Sequence, residues 1–276
     1  MTLKRILVHY DGTARADRAL DAALQLAEAQ DAHLIGCAIE MEPRIPTYAA
    51  AQIPADVVDA LIQDQHRLVA EARTRFEARI RNAGRTDRSE FAQGRGDMVR
   101  TLCRVGRGCD LVVVGQAKPD EEPAEIEELP DNLVLAAGRP VLIVPYIGQK
   151  APVGGHVLLC WTDTREAARA LADALPLFNA ASEVTILTAG TDTPADEYIG
   201  DDPARYLAAH GVRAEVRRAS SAGIDAGTAI LNEASDTGAD LIVMGAYGHS
   251  RLRETIMGGA TRTVLKGMTA PVLMSH

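Results

Sequence analysis

The sequence predicts an α/β protein with two tandem doubly wound, Rossmann-like domains, each an open five-stranded parallel sheet with helices on both faces. Three observations predict this class. The chain has 276 residues, the length of about two ordinary domains. Short apolar runs alternate with longer stretches of helical periodicity, and three segments occur twice in the same order. Strand–helix–strand units with such short connections imply parallel pairing and right-handed crossovers.

Three pairs of similar segments carry the internal repeat. They are KRILVHYDGTARADRAL (4–20) with GHVLLCWTDTREAARAL (155–171), CDLVVVG (109–115) with ADLIVMG (239–245), and RPVLIVP (139–145) with APVLMSH (270–276). The offsets are 151, 130 and 131 residues, so the first copy carries about 20 extra residues in its middle. The sequence therefore predicts a first domain over 1–147, a linker over 148–155 and a second domain over 156–276.

Each element follows from its apolar pattern. In the first copy the predicted strands are Arg5–His9, 32–39, 87–92, 110–115 and 140–145, and the predicted helices are 13–30, 55–82, 96–107 and 131–137. The long middle helix has one apolar stripe, formed by Val57, Val58, Leu61, Ile62, Val69, Ala72, Phe76 and Ile80, and Gly84 ends it. In the second copy this helix shrinks to 200–211, which accounts for the difference in length.

Composition and charge limit the classes of partner and site that the sequence predicts. The formal net charge is −9, and an acidic surface repels phosphates, so no nucleic-acid partner is expected. No stretch approaches about 18 apolar residues and the N-terminus lacks a signal-like apolar region, so we expect a cytoplasmic protein without a membrane partner. The four cysteines form no C-x-x-C pair and the seven histidines show no H-x-x-x-H spacing, so no metal site is expected.

The loop after the fourth strand of the second copy is the best candidate site. It reads Gly245-Ala-Tyr-Gly248, then nine residues, then Gly258-Gly259-Ala-Thr261, and a helix is predicted to begin near Gly258. Glycines let the backbone approach a ligand closely, and the first N–H groups of a helix point outward toward an anion. The side chains that would assist are Thr261, Ser250, His249, Arg251, Arg253 and Arg262. A plain surface loop is the alternative interpretation.

The spacing of these glycines resembles the nucleotide loop of the universal stress protein family, which has G, two residues, G, nine residues, G and then Ser or Thr. The resemblance extends over both copies and implies ATP or another adenine nucleotide as cofactor, with or without bound Mg²⁺. In that family an Asp at the end of strand one lies near the ribose and adenine, and a Val of strand two contacts the base. The matching positions here are Thr162, followed by Asp163, and Val184, while Gly259 replaces the Ser or Thr.

The first copy departs from the family pattern in the opposite way. It has Asp11 after its first strand, but its fourth-strand loop, GQAKPDEEPAEIEELPDN (115–132), keeps only Gly115 of the loop glycines. The loop instead carries Asp120, Glu121, Glu122, Glu125, Glu127 and Glu128. Because these carboxylates would repel a phosphate, we predict that the first half has lost phosphate binding. Helix capping is the alternative role for Asp11, and a solvated surface is the alternative role for the acidic loop.

The last strands and the absent motifs complete the sequence-based prediction. Family members usually dimerise along the strand that ends the domain, so the two copies are expected to cover each other's edges as an intramolecular pseudo-dimer. Whether the fused chain forms a homodimer as well is left open. No catalytic residue is identified, and the resemblance implies at most slow ATP hydrolysis. An interaction module without nucleotide is the alternative function. An adenylating ligase is disfavoured because neither HYDGTAR nor WTDTRE forms a Ser- and Gly-rich loop.

Overall fold

The computed structural model describes residues 2–41, 54–119, 121–148, 152–190, 200–220, 223–248 and 259–276. The first half contains β1 (Arg5–His9), α1 (Ala14–Ala29), β2 (His33–Glu40), α2 (Ala55–Asn82), a 3₁₀ turn (Thr86–Arg88), β3 (Ser89–Arg95), α3 (Met98–Gly106), β4 (Leu111–Gly115), α4 (Ala124–Glu127), α5 (Leu129–Ala136) and β5 (Val141–Val144). The second half contains β6 (His156–Trp161), α6 (Arg165–Asp173), α7 (Leu175–Phe178), β7 (Glu183–Gly190), α8 (Asp201–Ala209), β8 (Glu215–Ser220), α9 (Ala226–Thr237), β9 (Leu241–Gly245), α10 (Gly259–Gly267) and β10 (Val272–Ser275).

The ten strands form one continuous sheet in the order β3-β2-β1-β4-β5-β10-β9-β6-β7-β8. Each half is a parallel five-stranded sheet of the predicted doubly wound kind. The halves meet through β5 and β10, which pair antiparallel with Leu142 opposite Leu273. The terminal strands thus cover each other's edges, as the sequence predicts, and two separate open sheets become a single ten-stranded one. Two strand edges that would otherwise be exposed are removed in this way.

Helices cover both faces of the sheet and bury two apolar cores. One core lies under α1, α2, α6 and α8, and its members include Ile6, Val8, Phe76, Val157 and Leu273. The other lies under α3, α5, α9 and α10, and its members include Leu7, Leu102, Leu158 and Met274. Alternate residues of a strand point to opposite faces, which is why neighbours such as Leu7 and Val8 belong to different cores. No helix within the described ranges has the length and apolarity needed to cross a bilayer.

Side-chain caps decide where several helices begin. Thr13 and Thr164 occupy equivalent positions in the repeat, and their hydroxyls accept from Ala16 N and Ala167 N. The Asp97 carboxylate accepts from Arg100 N, so α3 begins at Met98 rather than at residue 96. Caps of this kind explain why both halves turn sharply from the first strand into the first helix.

The extra residues of the first half lie in α2, which has 28 residues against 9 in its counterpart α8. Only the second part of the predicted stripe is buried, from Val69 to Ile80, whereas Val57 and Leu61 are exposed. Phe76 packs closely on the sheet because β2 has glycine beneath it. A Cβ placed on Gly36 would lie 2.5 Å from the Phe76 ring.

Candidate functional site

The candidate site lies where β6 and β9 end side by side. Cys160 is paired with Met244 in the parallel ladder, so Thr162 and the loop that starts at Gly245 leave the sheet at the same edge. We call this region the second-half cleft. Doubly wound sheets bind ligands at such an edge, because the chain diverges there to opposite faces.

Gly245 packs against the first turn of α6. A Cβ placed on this residue would lie 2.5 Å from the carbonyl carbon of Glu166, which is backbone and cannot move aside. Gly115, its counterpart in the first half, is packed against Arg15 in the same way, since a Cβ there would lie 2.8 Å from the Arg15 carbonyl oxygen. The glycine that ends β4 or β9 is therefore required for close packing of strand on helix in both halves.

Gly248 lies over the start of α6, where a Cβ would come within 3.1 Å of Glu166 Oε2 and 3.4 Å of Thr164 Oγ1. The Glu166 side chain is almost fully buried and is ion-paired with Arg165. Burial opposes ionisation of Glu166, but hydrogen bonds from Arg165 and from its own amide hold the pKa of the carboxyl below the ordinary value. A charged carboxylate therefore lies beside the glycine loop. The sequence alone does not identify this carboxylate as part of the site.

The start of α10 supplies the helix N-terminus of the predicted site. Gly259 is its first residue, and within the described part of the chain no atom from elsewhere than its chain neighbours and the helix's own backbone lies within 4 Å of a Cβ built there. Thr261 follows in the first turn but is 4% exposed, so its side chain presents little surface to a ligand. Gly258, His249 and Ser250 lie outside the described residues.

The structure brings Thr162 and Asp163 to the cleft but places Val184 elsewhere. Thr162 and Asp163 are exposed directly after β6, and Thr162 Oγ1 lies 3.2 Å from Thr164 Oγ1. Val184 is paired with Val157 near the beginning of β7, so it lies at the opposite end of the strand and within the core. Leu187 and Thr188 are the β7 residues beside the end of β6.

Tyr247 links the glycine loop to the other half of the molecule. Its hydroxyl donates to Asp131 Oδ1 in the first turn of α5. The two residues are 116 positions apart, and no local pattern in the sequence pairs them. Burial and this hydrogen bond raise the pKa of Tyr247 above its usual range. The end of β10 and the residue after it also fix this loop. Ala246 N donates to Ser275 O at 2.9 Å, and His276 Nδ1 lies 2.9 Å from Ala246 O.

The equivalent cleft of the first half is filled by its own side chains. Arg15 is ion-paired with Asp11 and, at 3.0 Å, with Glu122 of the acidic loop, and its side chain is only 4% exposed. Among the described residues, neither Arg15 Nη1 nor the Nδ1 atom of neighbouring His9 has a hydrogen-bond partner, and both atoms are buried. Burial lowers the pKa of His9 to about 4. The acidic loop thus contributes a carboxylate to the place where the second half has its glycines.

Among the described residues, neither the possible metal ligands nor a cavity provides an arrangement of catalytic groups. Within the ranges that the structure describes, no cluster of three or more His, Cys, Asp or Glu side chains is placed to hold a metal ion. A cavity of about 800 Å³ lies between α1 and the end of α9. Three of its polar side chains bind backbone: Arg18 donates to Pro145 O, Gln25 exchanges two bonds with Val153, and Asp240 accepts from Gly154 N. The cavity lies beside the residues that precede β9, away from the glycine loop.

Comparisons with known proteins agree with this architecture. The sequence model of the universal stress protein family matches residues 2–145 and again 155–276. The universal stress protein Slr1230 of Synechocystis sp. is 44% identical over 45 residues, 16% of each chain. Universal stress protein MJ0577 of Methanocaldococcus jannaschii is 40% identical over 45 residues, 16% of this chain and 28% of that protein. These alignments span less than a third of either relative.

A solved structure extends the likeness in fold to nearly the whole molecule. The crystal structure of a universal stress protein from Archaeoglobus fulgidus DSM 4304 superposes with a TM-score of 0.76 at 16% identity, covering 98% of this chain and 95% of that one. Since the family model accounts for both halves in tandem, the chain belongs to the universal stress protein family.

Proposed function

We propose that this protein is a stress-response-type regulatory protein that binds an adenine nucleotide, ATP, in its second-half cleft. The observation that supports the proposal is the close packing of Gly245 and Gly248 on the start of α6, together with a helix N-terminus at Gly259 that no other described residue crowds. A triphosphate can be held by backbone N–H groups alone, so an acidic protein does not need a basic pocket for it.

The residues present fit the phosphate end of such a ligand, with one opposing charge. Gly245 and Gly248 keep the loop backbone close to α6, and among the described residues none crowds a Cβ built on Gly259 at the start of α10. The carboxylate of Glu166 lies beside Gly248 and would repel a phosphate, so Mg²⁺ bound to the nucleotide would reduce that cost. Thr162 and Asp163 are exposed at the same edge, where hydroxyl and carboxylate groups would reach a ribose.

We further propose that only the second half takes nucleotide. In the first half the place of the phosphate is opposed by Asp11 and Glu122, and Arg15 is already neutralised by both carboxylates. A triphosphate entering this cleft would have to break a buried ion pair and meet two negative charges. One bound nucleotide per chain is therefore expected.

Titration calorimetry with MgATP, together with analysis of small molecules released by heating the purified protein, tests the proposal. Gly248→Glu adds bulk and negative charge beside the loop and should abolish binding. Lys118 occupies the equivalent position in the first half, at the repeat offset of 130 residues, so Lys118→Glu is the matched control and should leave binding unchanged.

A gain-of-binding variant makes the test two-sided. Gly259→Ser restores the hydroxyl that the family pattern has at this position, and no residue in the described ranges blocks a side chain there. One neutral hydrogen bond contributes roughly 0.5–1.5 kcal/mol, so affinity should rise several-fold. If the wild type neither retains nor binds adenine nucleotide and Gly259→Ser gains nothing, the proposal is wrong. An interaction module with a degenerate family site then becomes the better explanation.

A further inference from the structure

Tyr247 has a backbone conformation that a tyrosine rarely adopts. Its φ is +60°, in the left-handed region, although the residue lies between two loop glycines that would adopt this geometry freely. A large L-residue is held there only when its surroundings impose the conformation. The interactions that fix Tyr247 should therefore also fix the path of the backbone from Gly245 to Gly248.

The partner that holds the Tyr247 side chain comes from the other half of the molecule. Asp131, in the first turn of α5, accepts the Tyr247 hydroxyl proton in a partly buried hydrogen bond. The ring also lies edge-on to His276, with centroids 6.4 Å apart. His276 lies on the same half as the loop, so Asp131 is the contact that makes loop geometry depend on the first half.

A second contact joins the two halves, this time from a loop residue of the first half to a helix of the second half. Gln116, directly after β4, reaches the carbonyl oxygen of Leu265 in α10 through its side-chain amide, and its Oε1 atom accepts from Tyr146 N at 3.3 Å. The loop after the fourth strand of each half therefore contacts the last helix of the other half. The acidic segment (115–132) is itself fixed at two points, at Arg15 through Glu122 and at Tyr247 through Asp131.

We propose that Asp131 is a positioning residue that holds Tyr247, and with it the backbone from Gly245 to Gly248, in the conformation that binds phosphate. This gives the acidic segment of the first half a role in the cleft of the second half. The inference rests on the proposed nucleotide function for its effect on affinity, but its effect on the loop itself is independent of any ligand.

Two measurements on the full chain test the proposal. With calorimetry, Asp131→Ala should weaken MgATP binding about tenfold, because Tyr247 is then free to leave the left-handed region. Asp131→Asn keeps an acceptor oxygen and should retain most of the affinity. In a Tyr247→Gly background the left-handed conformation needs no support, so adding Asp131→Ala should no longer change affinity.

Hydrogen exchange of the peptide covering 241–248, measured without nucleotide, provides the second readout. Asp131→Ala should accelerate exchange at Ala246 and Tyr247, whereas Glu121→Ala, which removes an exposed carboxylate of the same segment, should not. Thermal melts confirm that each variant is folded. Equal exchange in Asp131→Ala and wild type overturns the inference whether or not nucleotide binds. An Asp131→Ala effect on affinity that persists unchanged in the Tyr247→Gly background also overturns it.

Discussion

Arg15 and Glu166 occupy equivalent positions of the repeat, 151 residues apart, and have opposite charges. Each is nearly buried in the first turn of the helix that follows the first strand. In the first half the Arg15 side chain forms ion pairs with two carboxylates and fills the cleft. In the second half the anion is neutralised locally by Arg165, and the glycine loop passes directly over it. The charge reversal at this position, together with Asp11 and Glu122, gives the two clefts different electrostatic character.

Neutralising Glu166 should strengthen nucleotide binding. Glu166→Gln keeps the shape of the side chain and removes a negative charge beside Gly248, so ATP affinity should rise several-fold. The gain should decrease from ATP to ADP to AMP and vanish for adenosine, because it depends on phosphate charge. Calorimetry with the four ligands measures it. Glu183→Gln, the same change at the far end of β7, serves as the control. An equal gain for adenosine would contradict the electrostatic explanation.

His9 should make the protein lose stability in mild acid. Its ordinary pKa of 6.5 is lowered to about 4, chiefly by burial. Between these values the unfolded chain binds a proton that the folded chain does not, so the free energy of unfolding falls as pH decreases from 6.5 to 4. The difference corresponds to about 3 kcal/mol.

Urea unfolding of wild type and His9→Leu at several pH values isolates this contribution. The variant lacks the titrating group, so the stability difference between the two proteins should shift by about 3 kcal/mol in favour of the variant between pH 6.5 and pH 4. Parallel stability curves over that range would show that His9 does not titrate as its burial requires.

At the scale of elements, the sequence predicts the strands and helices that depend on a local pattern of residues. Strands such as β4 and β9 were recognisable because short β-branched runs end in glycine, and helix α2 was predicted with the bounds that the structure has. The start of α3 was misplaced by two residues because the Asp97 cap, rather than the glycine before it, decides where the helix begins.

The candidate site was only partly predictable for a physical reason. Glycines at fixed spacing predict a loop, and the structure places Gly245 and Gly248 against the start of α6, whereas Gly258, the third glycine of that spacing, lies outside the described residues. Contacts between side chains distant in sequence carry no periodic signal, so the partnership of Tyr247 with Asp131 was missed. The resemblance puts Val184 near the base-contacting position of strand two, but the register of β7 on β6 places it at the other end of the strand.

The whole molecule is organised by the β5–β10 pair, which makes the two halves one sheet. If either half unfolded alone, it would expose the edge of the other, with Leu142 and Leu273 losing their place in the shared core. We therefore expect one cooperative unfolding transition for the entire chain rather than a separate transition for each half.

A core truncation in the first half, read out from the second, tests this cooperativity. Phe76 is buried between Tyr10 and Phe91, with ring centroids 5.8 and 5.3 Å away, so Phe76→Ala should cost about 3–5 kcal/mol. Trp161, the only tryptophan, lies at the end of β6 in the other half and reports its unfolding by fluorescence. Its urea midpoint should fall together with the far-ultraviolet circular dichroism midpoint of the whole chain. A Trp161 midpoint that stays at the wild-type value, while circular dichroism gains an earlier phase, would mean that the shared sheet does not couple the halves.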